Sequence, residues 1–189
     1  TSSSETSFSD LLKNGFQPSG FVDFSPYNES QESFQKCLYF CIFEIMNLLA
    51  EELIIGEGTV IHPSAIIRGL KGKAKRVVIG DHVYIGEQVQ IICDDFQIGD
   101  YSKIQHRTTI HGYLPCHIGH NAWIGQHCII DSLGGMEIGN NCGIGAHSQL
   151  WSHIKFGDTL EGSNFHSAKE MNIGNDVWFV GHCIVSPIN

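Results

Sequence analysis

The chain has 189 residues and a formal net charge of −9, which is enough length for one large domain with a continuous core. The negative charge argues against nucleic acids and anionic membranes as partners, because their phosphate groups would repel it. Seven cysteines without a Cys-x-x-Cys pair predict neither a disulfide framework nor a zinc ribbon. A reduced, cytoplasmic setting fits them better. The longest apolar stretch, residues 37–50, contains Glu44 and is too short for a membrane span.

Residues 1–53 differ in pattern from the rest of the chain. Gly, Pro, Ser and Asn are scattered among Phe residues up to about position 29, which is typical of irregular structure. Between Ser30 and Leu53 apolar residues recur at three- and four-residue spacing, which predicts an amphipathic helix. We expect this helix to cap the structure that follows, since an open end of stacked strands exposes unpaired edges.

A period of six residues replaces the helical period after Leu53. Large apolar residues, here called anchors, fall into six triplets in which each anchor is six residues from the next. The triplets are Ile55, Ile61 and Ile67; Ile79, Ile85 and Ile91; Ile98, Ile104 and Ile110; Ile118, Ile124 and Ile130; Ile138, Ile144 and Leu150; and Ile173, Phe179 and Val185. A glycine follows the first anchor of every triplet, which suits a sharp corner. Each triplet therefore predicts one coil of three short strands.

Small or β-branched residues occupy the fourth position after most anchors. They are Val83, Ser102, Ala122, Cys142 and Val177 on one face, and Val89, Thr108, Cys128, Ser148 and Cys183 on the next. Anchors and small residues are predicted to point inward while coils stack about 4.8 Å apart. Cys128, Cys142 and Cys183 are thus packing residues, whereas Cys93 and Cys116 are expected near corners, open to solvent. The predicted fold is all-β: a parallel β-helix of about six coils over residues 54–189, preceded by the irregular segment and capping helix.

The repeated motifs resemble those of the hexapeptide-repeat acyltransferases. They read IGDHV-YIGEQV, IGHNA-WIGQHC, IGNNC-GIGAHS and IGNDV-WFVGHC, and the resemblance covers roughly residues 54–188. It implies a left-handed winding of the β-helix, acetyl-CoA as co-substrate without a metal, and a homotrimer whose active sites lie between subunits.

One interruption of the repeat is long, running from Leu150 to Ile173 and predicting a loop over about 151–172. Long excursions from a rigid scaffold usually serve a site or a partner. Sugar O-acetyltransferases similar to the maltose and galactoside enzymes carry a catalytic histidine just before such a loop. The resemblance therefore implies that His153 is catalytic, and that Trp178 and Gly181 contact acetyl-CoA.

The predicted chemistry is acetylation of a hydroxyl on a sugar or surface polysaccharide. The acceptor must lose a proton as it attacks a thioester, and an imidazole such as that of His153 can accept this proton near neutral pH. Trp151 and Trp123 are candidates for acceptor binding, because exposed tryptophans stack well on ligands. Packing between subunits is the alternative for Trp123 and Trp178. The sequence leaves O- and N-acetylation open, since the same base serves an alcohol or an amine.

Two other functions remain open from the residues. His106 and His111 are five apart and weakly match the histidines of γ-class carbonic anhydrases, which share this fold and bind zinc between subunits. A catalytically silent scaffold is the second alternative. Three further histidines, His127, His147 and His182, lie three residues after the second anchor of their coils and predict an outward ladder. This ladder is either a metal or anion ridge or a stacked surface column, and stacked imidazoles converge poorly on a tetrahedral ion.

Overall fold

The computed structural model describes residues 47–156 and 165–187, and every helix or strand assigned in these ranges is a strand. Eighteen of the twenty strands form three parallel faces of a β-helix. Face 1 contains β1 (Leu48–Ile55), β4 (Ala74–Ile79), β7 (Asp95–Ile98), β10 (Cys116–Ile118), β13 (Met136–Ile138) and β18 (Met171–Ile173). Face 2 contains β2 (Val60–Ile61), β5 (Tyr84–Ile85), β8 (Lys103–Ile104), β11 (Trp123–Ile124), β14 (Gly143–Ile144) and β19 (Trp178–Phe179). Face 3 contains β3 (Ile66–Arg68), β6 (Gln90–Cys93), β9 (Thr109–Gly112), β12 (Ile129–Asp131), β15 (Gln149–Trp151) and β20 (Ile184–Val185).

The remaining two strands, β16 (His153–Phe156) and β17 (Phe165–Ala168), form an antiparallel pair within the predicted loop. A shorter interruption, which the repeat analysis did not single out, separates Ile67 from Ile79 and is closed by a bridge between Gly69 and Gly72. In the described ranges, no helix is long and apolar enough to span a bilayer.

The predicted register of the anchors is confirmed. Every anchor pairs with the corresponding anchor of the next coil, as Ile104, Ile124 and Ile144 do on face 2. Anchors of the middle coils are almost fully buried, whereas Ile61 and Phe179 in the end coils are partly exposed, because within the described residues each has a neighbouring coil on one side only. The period of six thus reflects a core built from columns of like side chains.

The small inward residues of the middle coils are buried, and their hydroxyl groups have hydrogen-bond partners. The hydroxyls of Ser102 and Thr108 donate to the carbonyls of Gly119 and Gly125, at 2.9 and 2.7 Å. The thiol of Cys142 contacts the carbonyl oxygen of Gly174 at 3.0 Å in the same way. A small polar side chain fits these columns because a carbonyl of the next coil lies within hydrogen-bonding distance.

The prediction that Cys93 and Cys116 are open to solvent is wrong. Both are buried, with exposures of 1% and 0%. Cys116 lies two residues before its anchor, and strand alternation turns that position inward between Phe96 and Met136. Burial raises the pKa of the Cys93 thiol and raises the pKa of Cys116 well above its ordinary value, because the thiolate would lose its hydration. Both residues are neutral packing groups.

The predicted helix is wrong at its carboxyl end, and its greater part, residues 30–46, lies outside the described residues. The segment Leu48–Leu53 belongs to strand β1. Leu48 pairs with Ile67 on face 3, and the strand then turns the corner so that Ala50 pairs with Ala74 on face 1. Pairing on both faces outweighs the local helical pattern, because the first coil would otherwise present an open strand edge.

Candidate active site

The long interruption leaves the β-helix at the corner between faces 3 and 1. Trp151 ends β15, the buried Ser152 follows, and His153 begins β16, where it pairs with Ala168 of β17. Both ends of the described part of the interruption are therefore fixed by hydrogen bonds, and His153 stands at the base of a strand pair next to the core.

A buried carboxylate orients the imidazole of His153. Nδ1 of His153 lies 2.7 Å from Oδ1 of Asp131, whose side chain is 1% exposed, while that of His153 is 22% exposed. An ionised carboxylate only accepts hydrogen bonds, so Nδ1 carries the proton and Nε2 keeps its lone pair. Asp131 thus fixes the tautomer in which Nε2 is able to act as a base.

Asp131 is itself held in place by the next coil. Its Oδ1 accepts hydrogen bonds from the Ser152 hydroxyl at 2.9 Å and from the Ser152 amide at 3.2 Å. The Leu133 amide donates to the same oxygen at 3.3 Å. These donors compensate for the burial of the carboxylate, which would otherwise be costly.

The turn beneath the site requires a residue without a side chain. The Ser152 hydroxyl accepts from the Gly134 amide at 2.8 Å. A Cβ on Gly134 would lie 2.6 Å from both the Ser152 carbonyl oxygen and the Lys169 amide nitrogen. Only glycine allows this close approach between coils, and the approach fixes the backbone on which His153 stands.

Trp151 lies against the candidate base. Its ring meets that of His153 edge to face, with centroids 6.0 Å apart, and its indole N–H donates to Oε1 of Gln149 at 3.1 Å. The structure therefore brings together two of the residues selected from the sequence, Trp151 and His153. It adds Asp131, which sequence reasoning missed.

The alignment of neighbouring coils could have identified Asp131 from the sequence. Asp131 pairs with Trp151, which stands two residues before His153 in the chain. A carboxylate in that position faces the corner where the histidine emerges. The signal becomes visible only when the two coils are aligned, because the residues are 22 positions apart.

The other predicted binding residues lie elsewhere on the chain. Trp123 and Trp178 lie on face 2, on either side of Gly143, and are 37% and 75% exposed. Gly181 follows Trp178 in the last coil and is exposed. Face 2 does not border the corner that carries His153, so a single chain does not bring these residues to one site.

The histidine ladder forms as the spacing predicts. The rings of His127, His147 and His182 stack at 4.9 Å between neighbours, with interplanar angles of 8° and 5°. All three occupy turn positions with positive φ, between 56° and 62°. Their near-parallel planes confirm the spacing of the ladder, and its role stays a prediction.

The two histidines considered for a carbonic anhydrase-like site lie on different parts of the β-helix. Nδ1 of His106 accepts a hydrogen bond from the Glu87 amide at 3.0 Å, at the corner between faces 2 and 3. His111 lies in β9 on face 3, next to Asp131. Over residues 47–156 and 165–187, no group of three or more His, Cys, Asp or Glu side chains is arranged to hold a metal ion.

An open groove on face 1, lined in part by Gln97 and His117, contains none of the predicted site residues.

Comparison with known proteins gives partial similarity. No protein-family model matches the chain, and no solved structure matches it. The bifunctional protein GlmU of Anaplasma marginale, in strains Florida and St. Maries, is 31% identical over 109 residues. That alignment covers 55% of this chain and 23% of each relative. The chain therefore spans less than a quarter of the length of these curated relatives.

Proposed function

We propose that this protein is an acyltransferase that moves an acetyl group from acetyl-CoA to a hydroxyl of a sugar or polysaccharide. The observation that carries the proposal is the 2.7 Å contact between the buried Asp131 carboxylate and Nδ1 of His153, which leaves Nε2 as a base. The hexapeptide motifs and the partial match to GlmU support the broader class of acyltransferase. That the acceptor is a hydroxyl and that His153 is the base are proposed from the site geometry and the resemblance.

The proposed reaction follows from which atoms of the site can donate and accept a proton. The acceptor hydroxyl donates its proton to Nε2 of His153 as its oxygen attacks the thioester carbonyl, and a C–O bond forms. The imidazolium that results is stabilised by Asp131, which stays ionised. The tetrahedral intermediate then collapses, the C–S bond breaks, and the coenzyme thiolate takes the proton back from Nε2. The acetyl ester and free coenzyme A leave, and His153 is neutral again.

The acceptor is proposed to lie against Trp151. Its indole stands edge-on to the imidazole of His153 and belongs to the partly exposed surface at the corner. An aromatic face suits the apolar side of a sugar ring, and stacking there would place a ring hydroxyl near Nε2.

We propose that the protein is a cytoplasmic homotrimer. In this trimer a neighbouring subunit binds acetyl-CoA and part of the acceptor. Trp178 for acetyl-CoA and Trp123 for the acceptor lie on face 2, and Gly181 lies in the turn after β19, so none of the three lies at the corner of His153. A second chain is needed to bring the two sets together. Light scattering is expected to give about three times the chain mass, and a stable monomer with full activity would contradict the shared site.

The test of this function is acetyl-CoA-dependent release of free thiol against a panel of sugars, nucleotide sugars and glycans. We expect release that depends on one class of hydroxylated acceptor, together with an acetylated product of matching mass. Alkaline hydroxylamine should cleave the product, because it attacks esters and spares amides. Reactions without acceptor give the background of thioester hydrolysis.

Two outcomes would contradict the proposal. If no acceptor in the panel stimulates thiol release, the silent scaffold becomes the better interpretation. If the product is an amide that resists hydroxylamine, the reaction is N-acetylation and not O-acetylation.

A further inference from the structure

The two oxygens of the Asp131 carboxylate have very different surroundings. Oδ1 receives all the hydrogen bonds, from His153, Ser152 and Leu133. Among the residues that the structure describes, Oδ2 has no hydrogen-bond partner, although it is buried. Nδ1 of His111 lies 3.7 Å from this oxygen, and within the described ranges that nitrogen is likewise buried and without a hydrogen-bond partner.

Two unpaired buried polar atoms that face each other are unusual. A buried carboxylate oxygen without a donor is unfavourable, because it has lost its hydration and gained no hydrogen bond in return. His111 and Asp131 are direct neighbours in the register of β9 and β12, and their separation exceeds a normal hydrogen bond by less than about 1 Å. The His111 side chain is 43% exposed, so it has room to close this distance.

We propose that His111 is a positioning residue whose Nδ1–H bonds to Oδ2 of Asp131, so that one buried carboxylate holds two imidazoles. The terminal torsion of an aspartate is soft and nearly two-fold, and a donor on each oxygen fixes the plane of the carboxylate. His111 acts through Asp131 and does not itself touch the reacting atoms. The proposal rests on the proposed function of His153 as the base.

The first test measures the contact without reference to catalysis. In the full chain, His111→Leu removes the donor, whereas His111→Asn keeps an N–H close to the Nδ1 position. We expect His111→Leu to shift the urea midpoint to a lower concentration and His111→Asn to shift it less. In an Asp131→Ala background the difference between the two variants should disappear, since no carboxylate remains to be satisfied.

His127→Leu is the matched control for this cycle, because His127 lies at another corner. Its effect on the urea midpoint should be the same with or without the Asp131 carboxylate. A difference between His111→Leu and His111→Asn that is just as large in the Asp131→Ala background would overturn the proposed bond.

The second test reads the orientation of His153. The imidazole nitrogen chemical shifts should show a single Nδ1-protonated tautomer in the wild type and in His111→Asn, and a mixture in His111→Leu. On a confirmed acceptor, kcat of His111→Leu should fall about 10-fold to 100-fold at unchanged KM, while His111→Asn stays within about 3-fold. A single tautomer and normal kcat in His111→Leu would overturn the positioning role. If the wild type acetylates no acceptor, the proposed function fails, and the urea cycle and tautomer still decide the role of His111.

Discussion

Replacing His153 by alanine is expected to lower turnover by about 10²–10⁴-fold, the usual contribution of a positioned acid–base group. The fold should survive, since His153 follows the last anchor of its coil and packs outside the core columns. Acetyl-CoA binding should also persist, because the proposed coenzyme residues Trp178 and Gly181 lie on face 2 and in the turn that follows it, away from His153. The residual rate would come from holding thioester and acceptor together. Thiol release on a confirmed acceptor measures the loss, and calorimetric titration with acetyl-CoA measures binding.

The matched controls for His153→Ala are His127→Ala and His147→Ala. Both side chains are exposed and belong to the stacked ladder. Their turnover should stay within about 3-fold of the wild type if the ladder is structural. Near-normal turnover of His153→Ala beside an inactive ladder variant would move the site to the ladder, and metal analysis would then be the next measurement.

Replacing Ile124 by aspartate is expected to unfold the protein. Ile124 is 0% exposed and stacks between Ile104 and Ile144 in the middle of the core. A carboxylate there has no partner, and its burial costs several kcal/mol, a large share of the stability of a typical domain. Far-ultraviolet circular dichroism and thermal melting of the purified variant check the result.

Lys103→Asp is the control for Ile124→Asp. Lys103 precedes an anchor on the same face but points outward and is exposed. It should keep the wild-type spectrum and a melting temperature within a few degrees of the wild type. A folded Ile124→Asp protein with a normal melting transition would show that position 124 is not inward and that the register is wrong.

The fold was predictable because its repeating unit is short and its core contacts join equivalent residues. Each coil places Ile104, Ile124 or Ile144 over the same position of its neighbour, so the core constraint appears in the sequence as a fixed spacing. The helical spacing before Leu48 and the strand β1 show the limit of such patterns. Apolar residues at Leu48, Leu49 and Leu53 fit a helix locally. This segment is a strand because it pairs with β3 and β4, whose edges would otherwise be unpaired.

Part of the candidate site was selected from the sequence. His153 was selected by its place before the long interruption together with the resemblance to sugar O-acetyltransferases, and its catalytic role stays a prediction. Asp131 was missed because its pairing depends on two coils being in register, and the sequence places it 22 residues away. His111 was considered only as a metal ligand, although its neighbour in the sheet is the same carboxylate. The burial of Cys116 was also missed. Its side chain points inward because strand β10 begins at this residue, and the spacing of the anchors does not show where that strand begins.

The central claim is that Asp131 and His153 act as one catalytic unit, and kcat of Asp131→Asn, His153→Ala and the double variant tests it most directly. Asparagine keeps the shape of the side chain but allows the wrong tautomer of His153, so Asp131→Asn alone should be strongly impaired. When two residues act as a unit, removing the second costs little more once the first is gone. We therefore expect the double variant to turn over within about 3-fold of His153→Ala. A double variant whose loss equals the product of the two single losses would show that the residues act independently and would contradict the account.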